Sequence, residues 1–159
     1  MPAFKIRGAR NGDEATIVAL LHALATYEKL LDRFKITDDI VRRDYLCERP
    51  PINCDLLFEG ETAAGIATWH WSYSSFAAMR KIFLDDLFVR PEFRGRHYGK
   101  ALIAHLAKTA LAHGGGAVEW EVLDWNKPSI DFYDSLGAKP ITGWIGYSLA
   151  GAALEKLAR

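Results

Sequence analysis

The chain has 159 residues, half of them hydrophobic and a quarter charged, which predicts one domain over residues 1–159 and excludes a mainly disordered chain. Twenty basic residues balance twenty acidic ones, so its charge indicates neither a nucleic acid nor a membrane partner. No apolar run reaches the roughly 20 residues that span a bilayer, and residues 1–7 lack a signal-peptide core, so we expect a cytoplasmic protein. Cys47 and Cys54 have no histidine at zinc-ligand spacing, so no metal is expected.

The first half of the chain predicts a strand, two helices and three further strands. Phe4 to Arg7 is the first strand, and Asn11 or Asp13 caps the helix that follows. The apolar residues of that helix recur at the spacing of one helical face: Ile17, Leu20, Leu21 and Leu24. Thr37 begins a second helix, which the prolines at 50 and 51 end. Residues 55–58 and 64–73 are predicted as a hairpin, and residues 81–89 as another strand.

The second half predicts a different alternation of helices and strands. A strong helical pattern runs over 99–113, and three glycines stop it. A strand over 117–125 leads to a helix that Asn126 caps and that ends at Gly137. We predict a last strand over 144–149 and a short tail over 154–159. This order indicates a mixed α/β protein with an antiparallel first half and a later crossover helix.

The turn after the strand over 81–89 carries the clearest chemical signal. It is rich in arginine and glycine, and a helix begins directly after it. The first amides of a helix have no partner inside the helix, and with the helix dipole they attract anions. The spacing does not match a P-loop, because only three residues separate Gly95 from Gly99. These residues predict a diphosphate site, and a plain surface loop remains the alternative.

The segment Arg94-Gly95-Arg96-His97-Tyr98-Gly99 resembles the pyrophosphate loop of the GNAT superfamily of acetyl-CoA-dependent N-acetyltransferases, [Q/R]-x-x-G-x-[G/A]. The segments LDDLFVRPEFRG and DWNKPSIDFYDSLGAKP are also similar to this superfamily, most of all to its diamine (spermidine/spermine) and thialysine acetyltransferase branch. The resemblance covers nearly the whole chain. It implies an α/β GNAT fold, a mixed central sheet with a splayed parallel strand pair and flanking helices. One position departs from the pattern, because His97 replaces a glycine.

The resemblance implies acetyl-CoA as co-substrate, without a metal, bound between the strands over 82–89 and 117–125. The implied contacts are Leu87, Phe88 and Val89 along the pantetheine arm, Arg94, Gly95, Arg96, His97, Tyr98, Gly99 and Lys100 around the pyrophosphate, and Asn126, Ser129 and Tyr133 on the other wall. The side chain of His97 stands where the family brings backbone close to phosphate. This leaves three alternatives for the His97 side chain: it weakens cofactor binding, it turns outward, or it contacts a phosphate itself.

The resemblance also implies two catalytic roles. Tyr133, in the run Ser129 to Tyr133, is expected to protonate the departing thiolate, because a phenol keeps its proton at neutral pH. Asp85 is expected to accept the proton of the amine, directly or through water. Asp85 and Asp86 are adjacent on a strand, so we expect them to face opposite sides. The expected substrate contacts are Tyr27, Glu28, Asp85, Asp86 and Trp144.

The expected reaction is acetyl transfer to a primary amine of a small molecule, by direct attack in a ternary complex. The amine is a diamine, a polyamine, thialysine or an amino-acid-like amine. Ser74 stands where the branch has an acid for a distal ammonium, which disfavours long polyamines. The alternatives are a protein or peptide N-acetyltransferase and a non-catalytic CoA-binding regulatory module. By analogy we expect a homodimer, with no nucleic acid or membrane partner.

Overall fold

The computed structural model describes residues 3–159, which fall into two compact units, one ending at Leu123 and the other running from Asp124 to Arg159. The first unit contains one sheet with helices on both faces. Its elements in chain order are β1 (Phe4–Gly8), α1 (Glu14–Tyr27), α2 (Asp38–Asp44), β2 (Asn53–Glu59), β3 (Thr62–Ser74), β4 (Met79–Val89), α3 (Tyr98–Ala112) and β5 (Ala117–Trp120). The expected α/β class and element order are confirmed over this unit.

The five strands lie in the order in which they occur in the chain. Neighbours from β1 to β4 are antiparallel, and β4 and β5 are parallel. A parallel pair requires a crossover connection, and α3 provides it. The mixed sheet with its parallel pair is therefore confirmed.

Two apolar clusters cover the two faces of the sheet. One contains Ile17, Leu20, Leu21 and Leu24 of α1 with Val41 of α2, packed on sheet residues that include Ile66 and Phe88. The other contains Leu102, Leu106 and Ala110 of α3 with Ala67, Trp69, Ile82 and Leu84 of the sheet. The periodicity that predicted α1 and α3 thus corresponds to the faces that these helices bury.

Strand β4 contains an irregularity at its centre. Thr68 of β3 lies opposite Asp86, whereas the next residue, Trp69, lies opposite Leu84. Asp85 is therefore an extra residue in β4, a β-bulge, which re-aims the side chains around it. Pairing with β5 also ends at Leu84, although β4 continues to Val89. The parallel pair opens at the bulge, as the expected splay requires.

The second unit contains two short helices, α4 (Lys127–Ser135) and α5 (Gly151–Leu157). Asn126 caps α4, as predicted. The predicted strand over 144–149 is wrong, because no strand forms there, and the predicted tail lies largely in α5. Strand β5 ends at Trp120, five residues earlier than predicted. Across residues 3–159, every helix is too short or too polar to cross a membrane.

Candidate active site

The bulge brings two carboxylates to one face of the sheet. The hydroxyl of Thr68 donates to the Asp86 carboxylate at 2.5 Å, and His70 Nδ1 lies 2.7 Å from Asp85 Oδ2. Thr68 and His70 are two residues apart on β3, so their side chains share a face. The expectation that Asp85 and Asp86 face opposite sides is therefore wrong, because regular alternation fails at a bulge.

Asp86 lies in the drier of the two positions. It is half-buried, whereas Asp85 is exposed. Burial raises the pKa of Asp86 and the nearby charge of Asp85 raises it further, while the hydrogen bond from Thr68 acts in the opposite direction. A carboxylate that has lost part of its hydration gains more from a cationic partner than one in open water does.

Two side chains from the helical layer complete this acidic face. Glu28 directly follows α1, and burial followed by the charge of Asp86 raises its pKa. Tyr45 directly follows α2, and burial followed by the charge of Asp86 raises the pKa of its phenol. We call Glu28, Tyr45, Asp85 and Asp86 the acidic face. Acids with a shifted pKa, such as Glu28 and Asp86, concentrate at functional sites, and the carboxylates of this face together favour a bound cation.

The predicted anion loop lies between β4 and α3. Gly95 and His97 both have left-handed backbones, with φ of 75° and 61°. The first hydrogen bond of α3 runs from the Ala101 amide to the His97 carbonyl, at 2.9 Å. The amides of residues 98–100 thus form the helix N-terminus, where the helix provides no acceptor for them. Exposed Lys100 and the exposed imidazole of His97 border these amides, and Gly99 lies among them.

The two arginines of the loop have different surroundings. Arg94 Nε donates to the Val89 carbonyl at 3.1 Å, and its guanidinium lies 5.1 Å from the ring centre of Tyr27. Arg96 instead donates to both oxygens of Glu59, at 2.6 and 2.8 Å. Because Glu59 neutralises Arg96, the available positive charge of the loop comes from Arg94 and Lys100.

Tyr98 has a structural side chain. Its ring is buried in the cluster under α3, and its hydroxyl donates to Glu59. Only its backbone amide, at the start of α3, is placed to meet an anion.

Residues 87–89 line the opening of the parallel pair. They pair with Gly65 to Ala67 on the β3 side, whereas pairing with β5 has already ended at Leu84. Phe88 is buried against α1, and Leu87 and Val89 pack toward α3. The backbone edge of these three residues is therefore directed toward the opening, where an extended ligand arm can pair with it.

The remaining predicted residues belong to the second unit. The Asn126 side chain accepts from the Ser129 amide at 3.4 Å, which fixes the start of α4. Tyr133 lies on α4, with its ring 5.3 Å from that of Phe132. Trp144 lies in the chain between α4 and α5, and it is 80% exposed.

Four residues around these sites were not identified from the sequence: Tyr45, Glu59, Thr68 and His70. Thr68 and His70 lie within the predicted strand over 64–73, and only their cross-strand partners distinguish them. Glu59 ends β2 and meets Arg96, which is 37 residues away. Tyr45 follows a short helix whose packing decides its place. No local motif marks any of the four.

Comparisons with known proteins agree with this geometry. Residues 18–138 match the acetyltransferase (GNAT) family. A thialysine N-epsilon-acetyltransferase from Bos taurus is 37% identical over 164 residues, which cover 96% of each chain. The L-ornithine N5-acetyltransferase NATA1 of Arabidopsis thaliana is 37% identical over 94 residues, 59% of this chain and 41% of the plant protein. An integron cassette protein from the mobile metagenome of V. cholerae has the same fold, with a TM-score of 0.83, 24% identity and coverage of 100% and 99%. The chain belongs to the acetyltransferase (GNAT) family and is an N-acetyltransferase.

Proposed function

We propose that this enzyme transfers the acetyl group of acetyl-CoA to a primary amine of a small molecule, by direct attack in a ternary complex. The observation that carries this proposal is the acidic face beside the opening of the parallel strands. Three carboxylates, Glu28, Asp85 and Asp86, border this region, and burial raises the pKa of two of them. Such a site attracts a cationic amine and offers acceptors for its proton.

The same opening supports the use of acetyl-CoA. The backbone edge of residues 87–89 provides pairing groups for a pantetheine arm, and the N-terminus of α3 with Arg94 and Lys100 provides a site for a diphosphate. In the proposed reaction the amine nitrogen attacks the thioester carbonyl carbon and the carbon–sulfur bond breaks. Tyr133 gives its phenolic proton to the departing thiolate, because an ordinary phenol keeps its proton at neutral pH.

A short amine fits the proposed site best. The relatives that act on thialysine and L-ornithine support an amino-acid-like substrate. Ser74, at the end of β3, uses its hydroxyl to accept from the Ala77 amide at 3.3 Å and provides no charge for a distal ammonium. Aromatic Tyr27 and Trp144 are the proposed neighbours of the substrate, because aromatic faces bind cations.

We further propose that residues 1–159 act as one domain in a cytoplasmic homodimer. The family match runs across the boundary at Leu123, which supports a single domain. Large apolar side chains are exposed in the second unit, among them Trp144, Ile145 and Tyr147. Exposed apolar surface of this kind is typical of a protein interface. Sedimentation of the purified protein tests the dimer.

The experiment that tests the activity is thiol release from acetyl-CoA with a panel of acceptors: thialysine, lysine, ornithine, putrescine, spermidine and a peptide with a free N-terminus. We expect turnover with a short amine, rising with pH as the amine loses its proton, and an acetylated product by mass spectrometry. Preference for the peptide would favour the protein acetyltransferase alternative. Calorimetric binding of CoA without turnover of any acceptor would favour the non-catalytic module.

A further inference from the structure

We propose that His70 accepts the proton of the acceptor amine and that Asp85 is its positioning residue. This inference rests on the proposed function and assigns the proton acceptor to the imidazole rather than to either aspartate. It comes from a side-chain pair that only the bulge in β4 brings together.

The geometry fixes which nitrogen of His70 can take the proton. Nδ1 lies 2.7 Å from Asp85 Oδ2, and a carboxylate can only accept in this contact, so Nδ1 carries a hydrogen. In a neutral imidazole the other nitrogen, Nε2, then has the free lone pair. The ring also lies 5.4 Å from that of Phe83, tilted by 37°. Two contacts therefore hold the ring in one tautomer and one orientation.

The pair lies where the substrate is expected. His70 shares its face of β3 with Thr68, whose hydroxyl donates to Asp86. The bulge that displaces Asp85 directly follows Leu84, where the pairing of β4 with β5 ends. The pair thus borders both the acidic face and the opening proposed for the thioester.

The titratable groups around the pair are acids. Asp85 and Asp86 of β4 lie on its own face, and Glu28 and Tyr45 face the same region from the helical layer. Within residues 3–159, no lysine or arginine forms an ion pair or a cation–π contact with His70. A nearby carboxylate stabilises an imidazolium, so proton transfer from an ammonium to His70 does not leave an isolated charge.

The N–H bond of the substrate ammonium breaks, its proton passes to His70 Nε2 directly or through one water, and the electron pair stays on nitrogen. That pair forms the bond to the thioester carbonyl carbon, and the carbon–sulfur bond breaks. The departing thiolate takes a proton from the general acid of the proposed function, and the second proton of the amine nitrogen restores that acid through water, so the products are a neutral amide and a thiol. The His70 side chain is 41% exposed, which allows the imidazolium to return the proton to solvent.

The test is the pH profile of kcat/KM for the preferred amine in His70→Gln, Asp85→Asn and the double variant. We expect the wild type to show an acidic limb that His70→Gln lacks, because the proton acceptor must be in its neutral form. His70→Gln should lose about 100-fold at pH 7 and less than about fivefold near pH 10, where a primary amine deprotonates without help. Because the two residues act as one unit, the double variant should lose no more than His70→Gln alone.

His105→Gln is the matched control. His105 belongs to α3, on the other side of the sheet, and its Nε2 lies 3.6 Å from Asp55 Oδ1. Like His70→Gln, this variant therefore removes a histidine that lies beside an aspartate. It should keep the wild-type profile, and urea unfolding should show all variants folded. The assignment would be overturned if His70→Gln kept the acidic limb of the wild type, or if its loss of kcat/KM were the same at pH 7 and pH 10. Inactivity of the wild type with every amine would instead refute the proposed function.

Discussion

The acidic face should reduce the stability of the protein that carries it, and Asp86→Asn tests this directly. The substitution removes the charge of a half-buried carboxylate that lies close to Asp85 and Glu28. An asparagine oxygen can still accept from Thr68, so the hydrogen bond, worth about 1 kcal/mol, is kept. We expect Asp86→Asn to be more stable than the wild type at pH 8 and to bind the amine more weakly.

The magnitude follows from the removal of one unfavourable charge, which typically adds about 0.5–2 kcal/mol. For a chain of this size, each kcal/mol corresponds to about 2–4 °C in Tm. The size of this gain depends on pH. Because the folded pKa of Asp86 is raised above its ordinary value of 3.8, the destabilisation is complete above the folded pKa and disappears as the pH falls through it. The gain should therefore be full at pH 8 and smaller at pH 4, close to that ordinary value.

Urea unfolding followed by tryptophan fluorescence at both pH values measures this gain. Asp32→Asn is the control for stability, because it makes the same change at an exposed position outside the acidic face. We expect its free energy of unfolding to stay within about 0.5 kcal/mol of the wild type. The reasoning is refuted if Asp86→Asn is less stable than the wild type at pH 8, or if its gain in the free energy of unfolding is the same at both pH values.

Three further variants test other parts of the site. Tyr133→Phe should lower kcat by about 100-fold or more while the Kd for acetyl-CoA changes little, and an equal loss in both would argue against the general acid. His97→Gly should raise stability by about 1 kcal/mol, because the left-handed backbone disfavours a side chain, and should tighten acetyl-CoA binding in calorimetry; unchanged affinity would show that the imidazole does not hinder the diphosphate. Thr68→Val should raise the pKa of Asp86 in an NMR titration of its carboxyl carbon, since it removes the hydrogen bond that lowers it; an unchanged pKa would contradict that role.

The sequence was sufficient for elements whose burial pattern is local. Helices α1 and α3 each bury one apolar stripe, and both were predicted from it. The strand over 144–149 was predicted wrongly from residues that favour strands, because a strand also needs a neighbour to pair with, and local sequence does not provide one. The early end of β5 has the same origin.

The site was less predictable than the fold because it depends on long-range contacts. The resemblance pointed to Asp85 and Asp86, but their common direction comes from a register shift against β3. Arg96 was predicted to bind an anion, but its charge is paired with Glu59, which lies on a strand distant in sequence. His70 appeared only as one residue of a strand. In each case the missing information was the cross-strand partner.

The charge distribution along β4 fits the two proposed substrates, a cationic amine and anionic acetyl-CoA. The protein has equal numbers of acidic and basic residues, so its overall charge favours neither. Along β4 and the turn after it, the acids at 85 and 86 come first and the cations Arg94 and Lys100 follow. Strand geometry places Asp86 about 10 Å from Val89, roughly the distance over which salt screens charges at physiological ionic strength. A cationic amine and an anionic cofactor can therefore each be attracted by a local group of charges, at two neighbouring places along the same strand.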